Sequence, residues 1–327
     1  MKVLLIPNLV EYHAVSIKRY ADELHHALIH LAPTSWQFES LTCHHSLPSE
    51  QTIITCHDII PLLTILGKLD IPISNNARRT FPKIIQCLGK ASQIITVSES
   101  SKQNLLEFTS ISPDHIHVVY SGLNPNFTPH PTEAPTRHEE RMIIKKSYGI
   151  PATAKVLMHV GTTGHYKNTA ALIKLLKALG DDVWLLRVGA PFHNEEAILV
   201  EQLGVGKRLV HTGKVAGDTL LAAHYRAADL FVFPSFWEGF GWPPLEAMAC
   251  GTPTITSNTA SLPEVAGPNG ITFSPQDDEE IARVTDSLLR DPARLAKLGS
   301  DGLAWSKNFT WQRSAQQTLR VYEKIGK

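Results

Sequence analysis

Two glutamates, Glu238 and Glu246, stand with seven residues between them in a segment that is rich in glycine and proline. Gly241 precedes Pro243 and Pro244, so the pattern predicts a glycine loop that leads into a helix. The backbone N–H groups of such a loop and the partial positive charge of a helix start suit an anionic group such as a diphosphate. Ionised carboxylates accept hydrogen bonds from hydroxyl groups, which suits a ribose or another sugar beside it.

The elements around this loop are predicted from its flanks. A buried strand, Leu230–Phe233, precedes it, and a short helix over 244–250 follows, with Gly251 as its stop. That helix would place Glu246 in its first turn, where a negative charge is favourable. Either glutamate alone is better explained as a structural residue, such as a capping carboxylate beside an ordinary turn. The combination of strand, glycines, prolines and two carboxylates favours ligand binding.

A second loop with chemical potential reads GTTGHYKN over 161–168. It is predicted to follow a strand over 156–160 and to precede a helix over 169–179. Gly161 and Gly164 allow a phosphate to approach the backbone closely, and Lys167 supplies a flexible positive charge. The lysine is not in the context of a Walker loop, and the motif is not G-x-G-x-x-G. For this motif alone, a solvated turn with a surface lysine is the stronger explanation.

A histidine and an aspartate, His57 and Asp58, follow a predicted strand over 52–55 in the first half of the chain. A histidine at a strand end can donate a hydrogen bond to a sugar hydroxyl or a phosphate. A histidine with a purely structural role is an equally good explanation of this pair.

Short β-branched runs alternate with longer amphipathic stretches along the chain, which predicts parallel sheets covered on both faces by helices. The further strands are predicted at 3–6, 94–97, 117–120, 183–188, 209–212 and 254–256. The further helices are predicted at 16–31, 98–108, 195–203, 218–228, 278–290 and 310–325. Loops at the carboxyl ends of the strands, and a cleft between two domains, are where such a protein binds ligands.

A proline-rich stretch over 124–140 predicts a linker. We therefore expect an N-terminal Rossmann-like domain over 1–136, a C-terminal one over 137–309, and a last helix over 310–327 that packs back toward the first domain. Lys plus Arg and Asp plus Glu balance at 31 each, so the charge does not favour nucleic acid. The first residues predict a strand and not a signal peptide, and the four cysteines predict buried free thiols, which together indicate a cytoplasmic protein.

The chain resembles glycosyltransferases of the GT-B superfamily, of the retaining family 4 type that is also called group 1. The motif with the two glutamates and its flanks is highly specific for that family, and the other motifs occur in the right order. They are HDIIP at 57–61, ITVSESSKQNL at 95–105, HIHVVYSGLNPNF at 115–127, VGTTGHYKN at 160–168, YRAADLFVFPSFWEGFGWPPLEAMACGTPTI at 225–255 and SLPEVAG at 261–267.

This resemblance implies a GT-B fold, in which two Rossmann-like domains have parallel sheets that face an interdomain cleft. It implies that Glu246 binds the donor ribose, that Glu238 binds the transferred sugar and that Lys167 neutralises the leaving diphosphate. His57 would lie beside the sugar. The remaining donor-binding positions are those whose backbone would approach the donor: Gly161, Thr162, Phe240, Gly241, Trp242, Pro243 and Ser16. The family needs no metal ion and no cofactor, because basic side chains and helix dipoles stabilise the leaving nucleotide.

Three departures from the family pattern concern catalysis and the acceptor. Tyr166 stands where the family often has an arginine; His165 or Arg187 is a candidate to compensate for the missing charge. The first loop, at 11–16, contains no glycine, although Ser16 still offers an amide and a hydroxyl. The N-terminal half, which normally holds the acceptor site, is short, so the acceptor class does not follow by analogy.

The function predicted is a retaining hexosyltransferase that uses GDP-mannose or a UDP-hexose and acts on a glycan or lipid-linked saccharide in polysaccharide biosynthesis. The alternatives are a sugar-nucleotide-binding GT-B protein with little transfer activity, and a GT-B sugar-nucleotide epimerase. A basic stretch over 75–83 is compatible with peripheral contact to the inner face of a membrane. A solvated helix face explains this stretch better.

Overall fold

The computed structural model describes residues 2–5, 14–31, 37–40, 52–129, 136–162 and 164–324. The chain forms two compact units: Met1–Asn124 together with Phe309–Lys327, and Pro125–Asn308. The sequence placed the divisions at 136/137 and 309/310, whereas the compact units divide at 124/125 and 308/309.

The first unit contains two parallel sheets, in which β1 pairs with β2 and the second sheet has the order β3-β4-β5. Its elements are β1 (Lys2–Leu5), α1 (Ala14–Leu31), β2 (Gln37–Ser40), β3 (Ile53–Cys56), α2 (Ile60–Ile65), α3 (Asn75–Leu88), β4 (Gln93–Thr96), α4 (Glu99–Phe108) and β5 (Ile116–Val118). Serine N-caps fix where α3 and α4 begin: the Ser74 and Ser98 hydroxyls accept hydrogen bonds from the amides of Ala77 and Ser101.

The second unit is built on six parallel strands in the order β11-β10-β9-β6-β7-β8. Its elements are α5 (Arg137–Ser147), β6 (Lys155–Gly161), α6 (Thr169–Ala178), β7 (Val183–Gly189), α7 (Asn194–Leu203), β8 (Leu209–Gly213), α8 (Asp218–Ala227), β9 (Leu230–Phe233), α9 (Trp242–Ala249), β10 (Thr254–Ser257), α10 (Leu262–Ala266), β11 (Ile271–Phe273), α11 (Asp278–Leu289) and α12 (Pro292–Ser306). Its central strands are apolar and buried, as expected of a parallel sheet covered on both faces.

The winding of this sheet reverses between β6 and β9. The chain passes from β6 to β7 and β8 on one side, and then returns to β9, β10 and β11 on the other side of β6. The carboxyl ends of β6 and β9 are therefore neighbours at the point where strand order reverses. In open α/β sheets a ligand binds in the crevice at that point.

The last helix, α13 (Trp311–Tyr322), belongs to the first unit and packs on α1. The Trp311 ring meets Tyr20 of α1 edge-on, with ring centroids 5.5 Å apart. The Ser314 hydroxyl donates a hydrogen bond to the backbone oxygen of Tyr120, which ties the helix to the segment after β5.

Three expectations from the sequence need correction. The linker does not extend to residue 140, because a capping box between Thr136 and Glu139 starts α5 at Arg137. The helix after the glycine loop begins at Trp242, so Glu246 lies beyond the first turn. Cys56 and Cys250 are buried free thiols as predicted, but Cys87 is exposed; Cys43 lies outside the described residues.

Two features of the described residues bear on membrane contact. None of the described helices combines the length and the apolar character that crossing a bilayer requires. The basic stretch over 75–83 lies in α3, where Arg78, Arg79 and Lys83 are exposed, as a solvated helix face would be.

Candidate functional site

The loops that follow β6 and β9 meet at the reversal point of the six-stranded sheet. The amide of Phe236 donates a hydrogen bond of 2.7 Å to the backbone oxygen of Tyr166, which joins the two loops. Beside this link, the Lys167 ammonium lies 2.7 Å from Oε1 of Glu238. Two of the predicted site residues, 71 positions apart in the chain, are thus in direct contact.

A turn of 3-10 helix, His165–Lys167, sets the position of Lys167. Asn168, which follows it, has a left-handed backbone with φ of 51° and starts α6. Its side-chain amide donates to the backbone oxygen of Pro275 at 2.7 Å, so the turn is anchored to the segment after β11. The Lys167 residue is only 7% exposed, which removes most of its ammonium's hydration.

Hydroxyl groups from the segment after β10 hold the loop of Glu238. The Ser261 hydroxyl lies 3.0 Å from the backbone oxygen of Glu238 and 2.6 Å from that of Phe240. The Thr259 hydroxyl donates to the backbone oxygen of Phe236 at 2.9 Å. Thr259 and Ser261 were not predicted from the sequence; their signal was a small polar cluster directly after a predicted strand.

Gly241 makes the corner between this loop and α9. Its φ of 116° is one that side chains rarely adopt, and a Cβ there would lie 3.0 Å from Cδ2 of Leu262. The helix begins directly after it with Trp242 and Pro243, while Phe240 is buried on the other side. The backbone at these four predicted donor-binding positions therefore turns sharply at one point.

Glu246 is a buried carboxylate on α9, with 6% of its surface exposed. The phenolic hydroxyl of Tyr225 on α8 donates to its Oε2 at 2.9 Å. Tyr225 is itself fully buried, so this hydrogen bond holds the carboxylate in one orientation within the helix layer. The sequence analysis did not identify Tyr225 as its partner.

Aromatic rings fill the space that the glycines of the 161–168 loop leave. A Cβ at Gly161 would lie 2.7 Å from Cε1 of His159, and one at Gly164 would lie 2.1 Å from Cε1 of Tyr166. At both positions a neighbouring ring would have to shift to admit a Cβ, apart from any approach of a phosphate. The His159 ring is fully buried and stacks on Phe233 at 5.7 Å. Burial, together with the charges of Arg187 and Lys167, lowers the pKa of His159 well below 6.5.

Arg187 lies on β7 directly beside His159, and it is fully buried. Its guanidinium donates to the backbone oxygens of Thr162 and Ala190, and it packs on the ring of Phe192 with 4.6 Å to the centroid. It therefore holds the loops after β6 and β7 together from inside. Burial lowers the pKa of Arg187, which the charge of Glu196 opposes.

The second residue that was expected to compensate for Tyr166 is His165. Its ring stacks on that of His193, which caps α7, with centroids 4.8 Å apart. The contacts of His165 are thus with His193 and those of Arg187 with the loops after β6 and β7, whereas the Tyr166 ring lies under the Lys167 ammonium.

Two predicted site residues belong to the first unit. His57 follows β3, packs edge-on against Tyr20 at 4.7 Å, and accepts a hydrogen bond of 3.0 Å at its backbone oxygen from the Ser101 hydroxyl. The Asp58 carboxylate accepts a hydrogen bond of 3.0 Å from the amide of Ile60, the first residue of α2. Ser16 lies in the first turn of α1, and residues 11–13 of the glycine-free loop are outside the described residues.

The arrangement in the second unit offers an ammonium, two carboxylates and a sharply turned backbone at one edge of a sheet. An ammonium binds phosphate oxygens, and carboxylates bind sugar hydroxyls. Within the described ranges, His, Cys, Asp and Glu side chains form no group of three that could hold a metal ion.

Two family models match the chain in succession. The model "Glycosyl transferases group 1" matches residues 140–305, and the model "Glycosyltransferase Family 4" matches residues 7–127. The first match covers about half of the chain and includes every predicted site residue of the second unit.

Some curated proteins of similar sequence are named as mannosyltransferases, and others as D-inositol 3-phosphate glycosyltransferases. The chain is 32% identical over 292 residues to the serotype-specific mannosyltransferase WbdA of Escherichia coli. The aligned region covers 86% of this chain and 35% of WbdA. The chain is 32% identical over 236 residues to the MMP alpha-(1->4)-mannosyltransferase of Mycolicibacterium hassiacum, with 71% of this chain and 54% of that protein covered. The chain thus spans about a third to a half of the length of these relatives.

A solved structure of similar fold is that of Anabaena Alr3699/HepE in complex with UDP and glucose. It superimposes with a TM-score of 0.70 and 21% identity, over 83% of this chain and 71% of that chain. At this level of identity the likeness concerns the fold alone.

Proposed function

Because this chain belongs to the family of group 1 glycosyl transferases and has the GT-B fold, we propose that it is a retaining hexosyltransferase. The donor is a nucleotide-diphosphate sugar, and the acceptor is a glycan or a lipid-linked saccharide. The observation that carries the proposal is the contact between Lys167 and Glu238 at the reversal point of the sheet, where the loops after β6 and β9 meet.

Each charged side chain of the site has one part of the donor to bind in this proposal. Lys167 binds the diphosphate and offsets the negative charge that it gains on leaving. Glu238 accepts hydrogen bonds from hydroxyls of the transferred sugar, and Glu246 accepts them from the ribose. The backbone at Gly161 and Thr162, and from Phe240 to Pro243, lies against the phosphates and the sugar.

The proposed reaction needs no nucleophile from the enzyme. The bond between the sugar C1 and the diphosphate oxygen breaks, and a bond between C1 and the acceptor oxygen forms on the same face of the ring. The proton of the acceptor hydroxyl passes to the leaving phosphate oxygen. Glu238 and Glu246 are therefore donor-binding groups and not the acid and base of a glycosidase-like mechanism.

In the first unit, the resemblance to the family assigns His57 to the transferred sugar and Ser16 to the diphosphate. Both assignments remain predictions, as does the expectation that the reaction proceeds without a metal ion.

The names of the relatives favour mannose as the transferred hexose, whereas the Anabaena structure with UDP and glucose keeps a UDP-hexose open. A serotype-specific relative also supports an acceptor that is a growing cell-surface polysaccharide. With a lipid-linked acceptor the enzyme would work at the inner, cytoplasmic face of a membrane, where the exposed arginines of α3 would suit anionic lipid.

A thermal-shift screen with GDP-mannose, UDP-glucose, UDP-galactose, UDP-GlcNAc and ADP-glucose identifies the donor, because a ligand that binds the native state raises its melting temperature. We expect one nucleotide base to dominate. Hydrolysis and transfer with that donor are then measured for the wild type, Lys167→Ala and Glu246→Ala. Each substitution is expected to lower kcat/KM by about 100-fold or more, since each removes a charged contact to the donor.

Lys174→Ala is the matched control, because Lys174 is an exposed lysine on α6 that pairs with Asp278 away from the site. It should leave activity unchanged. Wild-type activity in both Lys167→Ala and Glu246→Ala would show that the site is assigned wrongly. Tight nucleotide binding without turnover on water or any acceptor would favour the binding-protein alternative, and interconversion of UDP-GlcNAc without an acceptor would favour the epimerase.

A further inference from the structure

Two aromatic rings face the ammonium of Lys167. Its Nζ lies 5.1 Å from the ring centroid of Tyr166 and 5.2 Å from that of Phe233. Both distances are within the range in which a cation is attracted by the negative face of an aromatic ring. Because the lysine side chain is only 9% exposed, this attraction is weakened little by water.

Two features of the structure concern the placement of Tyr166: the room for its ring and the anchoring of its backbone. It covers Gly164 so closely that any Cβ at that position would overlap the ring. The backbone oxygen of Tyr166 accepts the hydrogen bond from Phe236 that joins the loops after β6 and β9. The backbone at Tyr166 is thereby joined to the loop that carries Glu238.

The Phe233 ring forms the other support. It is fully buried at the end of β9, and it stacks on His159 at 5.7 Å and on Phe231 at 5.8 Å. These contacts come from two adjacent strands, β6 and β9, and they pack the Phe233 ring in the interior of the second unit.

We propose that Tyr166 is a positioning residue for the reaction proposed above: with Phe233 it holds the Lys167 ammonium where Glu238 and the leaving diphosphate both reach it. This rests on the proposed function. A ring face attracts the ammonium without adding a second counter-charge to that of Glu238, so it does not reduce the attraction of Lys167 for the diphosphate. It also restricts a long, flexible side chain before the donor binds, which lowers the entropic cost of binding. Tyr166 thus supplies placement at the position where the family often has a second charge.

The test compares Tyr166→Phe, which keeps the ring face, with Tyr166→Leu, which removes it. Affinity for UDP and GDP is measured by calorimetry, and kcat and KM with the donor identified by the screen. We expect Tyr166→Phe to stay within about twofold of the wild type, and Tyr166→Leu to lose about 3- to 30-fold in affinity or kcat/KM, the size of a desolvated cation–aromatic contact.

A double-mutant cycle in the ligand-free protein tests the contact itself. The melting temperatures of the wild type, Tyr166→Leu, Lys167→Met and the double variant are compared, and the two losses should be less than additive because both substitutions remove the same contact. A purely structural tyrosine would give additive losses.

Additive losses, or a Tyr166→Phe variant as impaired as Tyr166→Leu, would overturn the positioning role alone. If wild-type protein bound neither UDP nor GDP and acted on no sugar nucleotide, the proposed function would fall, and the positioning role with it.

Discussion

The Lys167–Glu238 pair is an ion pair with little access to water, because the two side chains are 9% and 12% exposed. Removing two charges from water costs free energy that their attraction repays only in part, so such a pair adds little net stability. Its value in the proposed function is that both charges are placed before the donor arrives. The hydroxyls of Ser261 and Thr259 hold the backbone around Glu238, and the Tyr225 hydroxyl does the same for the Glu246 carboxylate.

The buried side chain of His159 should make the stability of the folded protein depend on pH. Its ring is buried, and among the described residues neither ring nitrogen has a hydrogen-bond partner. Because burial and the nearby charges of Arg187 and Lys167 lower its pKa well below 6.5, the folded protein keeps it neutral. As the pH falls through 6.5, the unfolded chain takes up a proton that the folded protein excludes. Stability is therefore lost on the acid side, at up to about 1.4 kcal/mol per pH unit.

His159→Phe keeps a ring against Phe233 and removes the titrating group. We expect the fall in melting temperature between about pH 7.5 and about pH 5.5 to be smaller for this variant than for the wild type. His224, whose pKa burial also lowers, is present in both proteins and cancels in the comparison. Equal falls in the two proteins would contradict the role given to His159.

Among the elements, the corner at Gly241 decides where α9 begins and therefore where Glu246 lies. Gly204 ends α7 with a left-handed backbone as well, but nothing lies within 4 Å of a Cβ built there. Substitutions at Gly204 and Gly241 therefore distinguish the cost of a left-handed backbone from the cost of a crowded Cβ. They also compare a corner inside the candidate site with one outside it.

Gly204→Ala should cost about 1 kcal/mol, because an alanine must adopt a left-handed φ of 67°. Gly241→Ala should cost more, on the order of 1–3 kcal/mol, since its φ is less accessible and its Cβ meets Leu262. Thermal unfolding measures both effects. Only Gly241→Ala should also weaken nucleotide binding in calorimetry; an equal effect of both variants on binding would remove the corner from the site.

In the whole molecule, the first unit contains both ends of the chain, and the second unit is formed by the residues between them. The chain returns to the first unit at Phe309. Two tryptophans on either side of that return belong to different units. Trp305 donates to the backbone oxygen of Val265 at 2.9 Å in the second unit, whereas Trp311 packs against Gly122 and Tyr20 in the first.

Trp311→Ala removes a large buried side chain and should destabilise the first unit by about 3–5 kcal/mol. Hydrogen exchange should then become faster in α1 and change little in α10. Trp305→Ala, the matched variant, should speed exchange in α10 and leave α1 protected. Equal acceleration of both helices by both variants would mean that the two units unfold together.

Much of the secondary structure could be predicted from the sequence alone, because the strands are β-branched runs and the helices are amphipathic stretches with clear starts. The strand Leu230–Phe233 has the predicted bounds, and the other predicted strands differ by a residue or two at their ends. The helices over 60–65, 137–147, 262–266 and 292–306 and the short strands at 37–40 and 271–273 were missed. The helix over 137–147 starts in a proline-rich stretch that predicts a linker, and runs of three to six residues are too short for their periodicity to be distinctive.

The types of the site residues, and the two loops that carry them, were likewise determined by the sequence. Only the tertiary structure decided that Lys167 and Glu238 touch, because strand order depends on how helices pack on the sheet and leaves no mark in local periodicity. The same holds for the Phe233 ring that faces the ammonium and for the Tyr225 hydroxyl on Glu246. These contacts join residues on separate elements, so they exist only once β9 lies beside β6 and α9 beside α8.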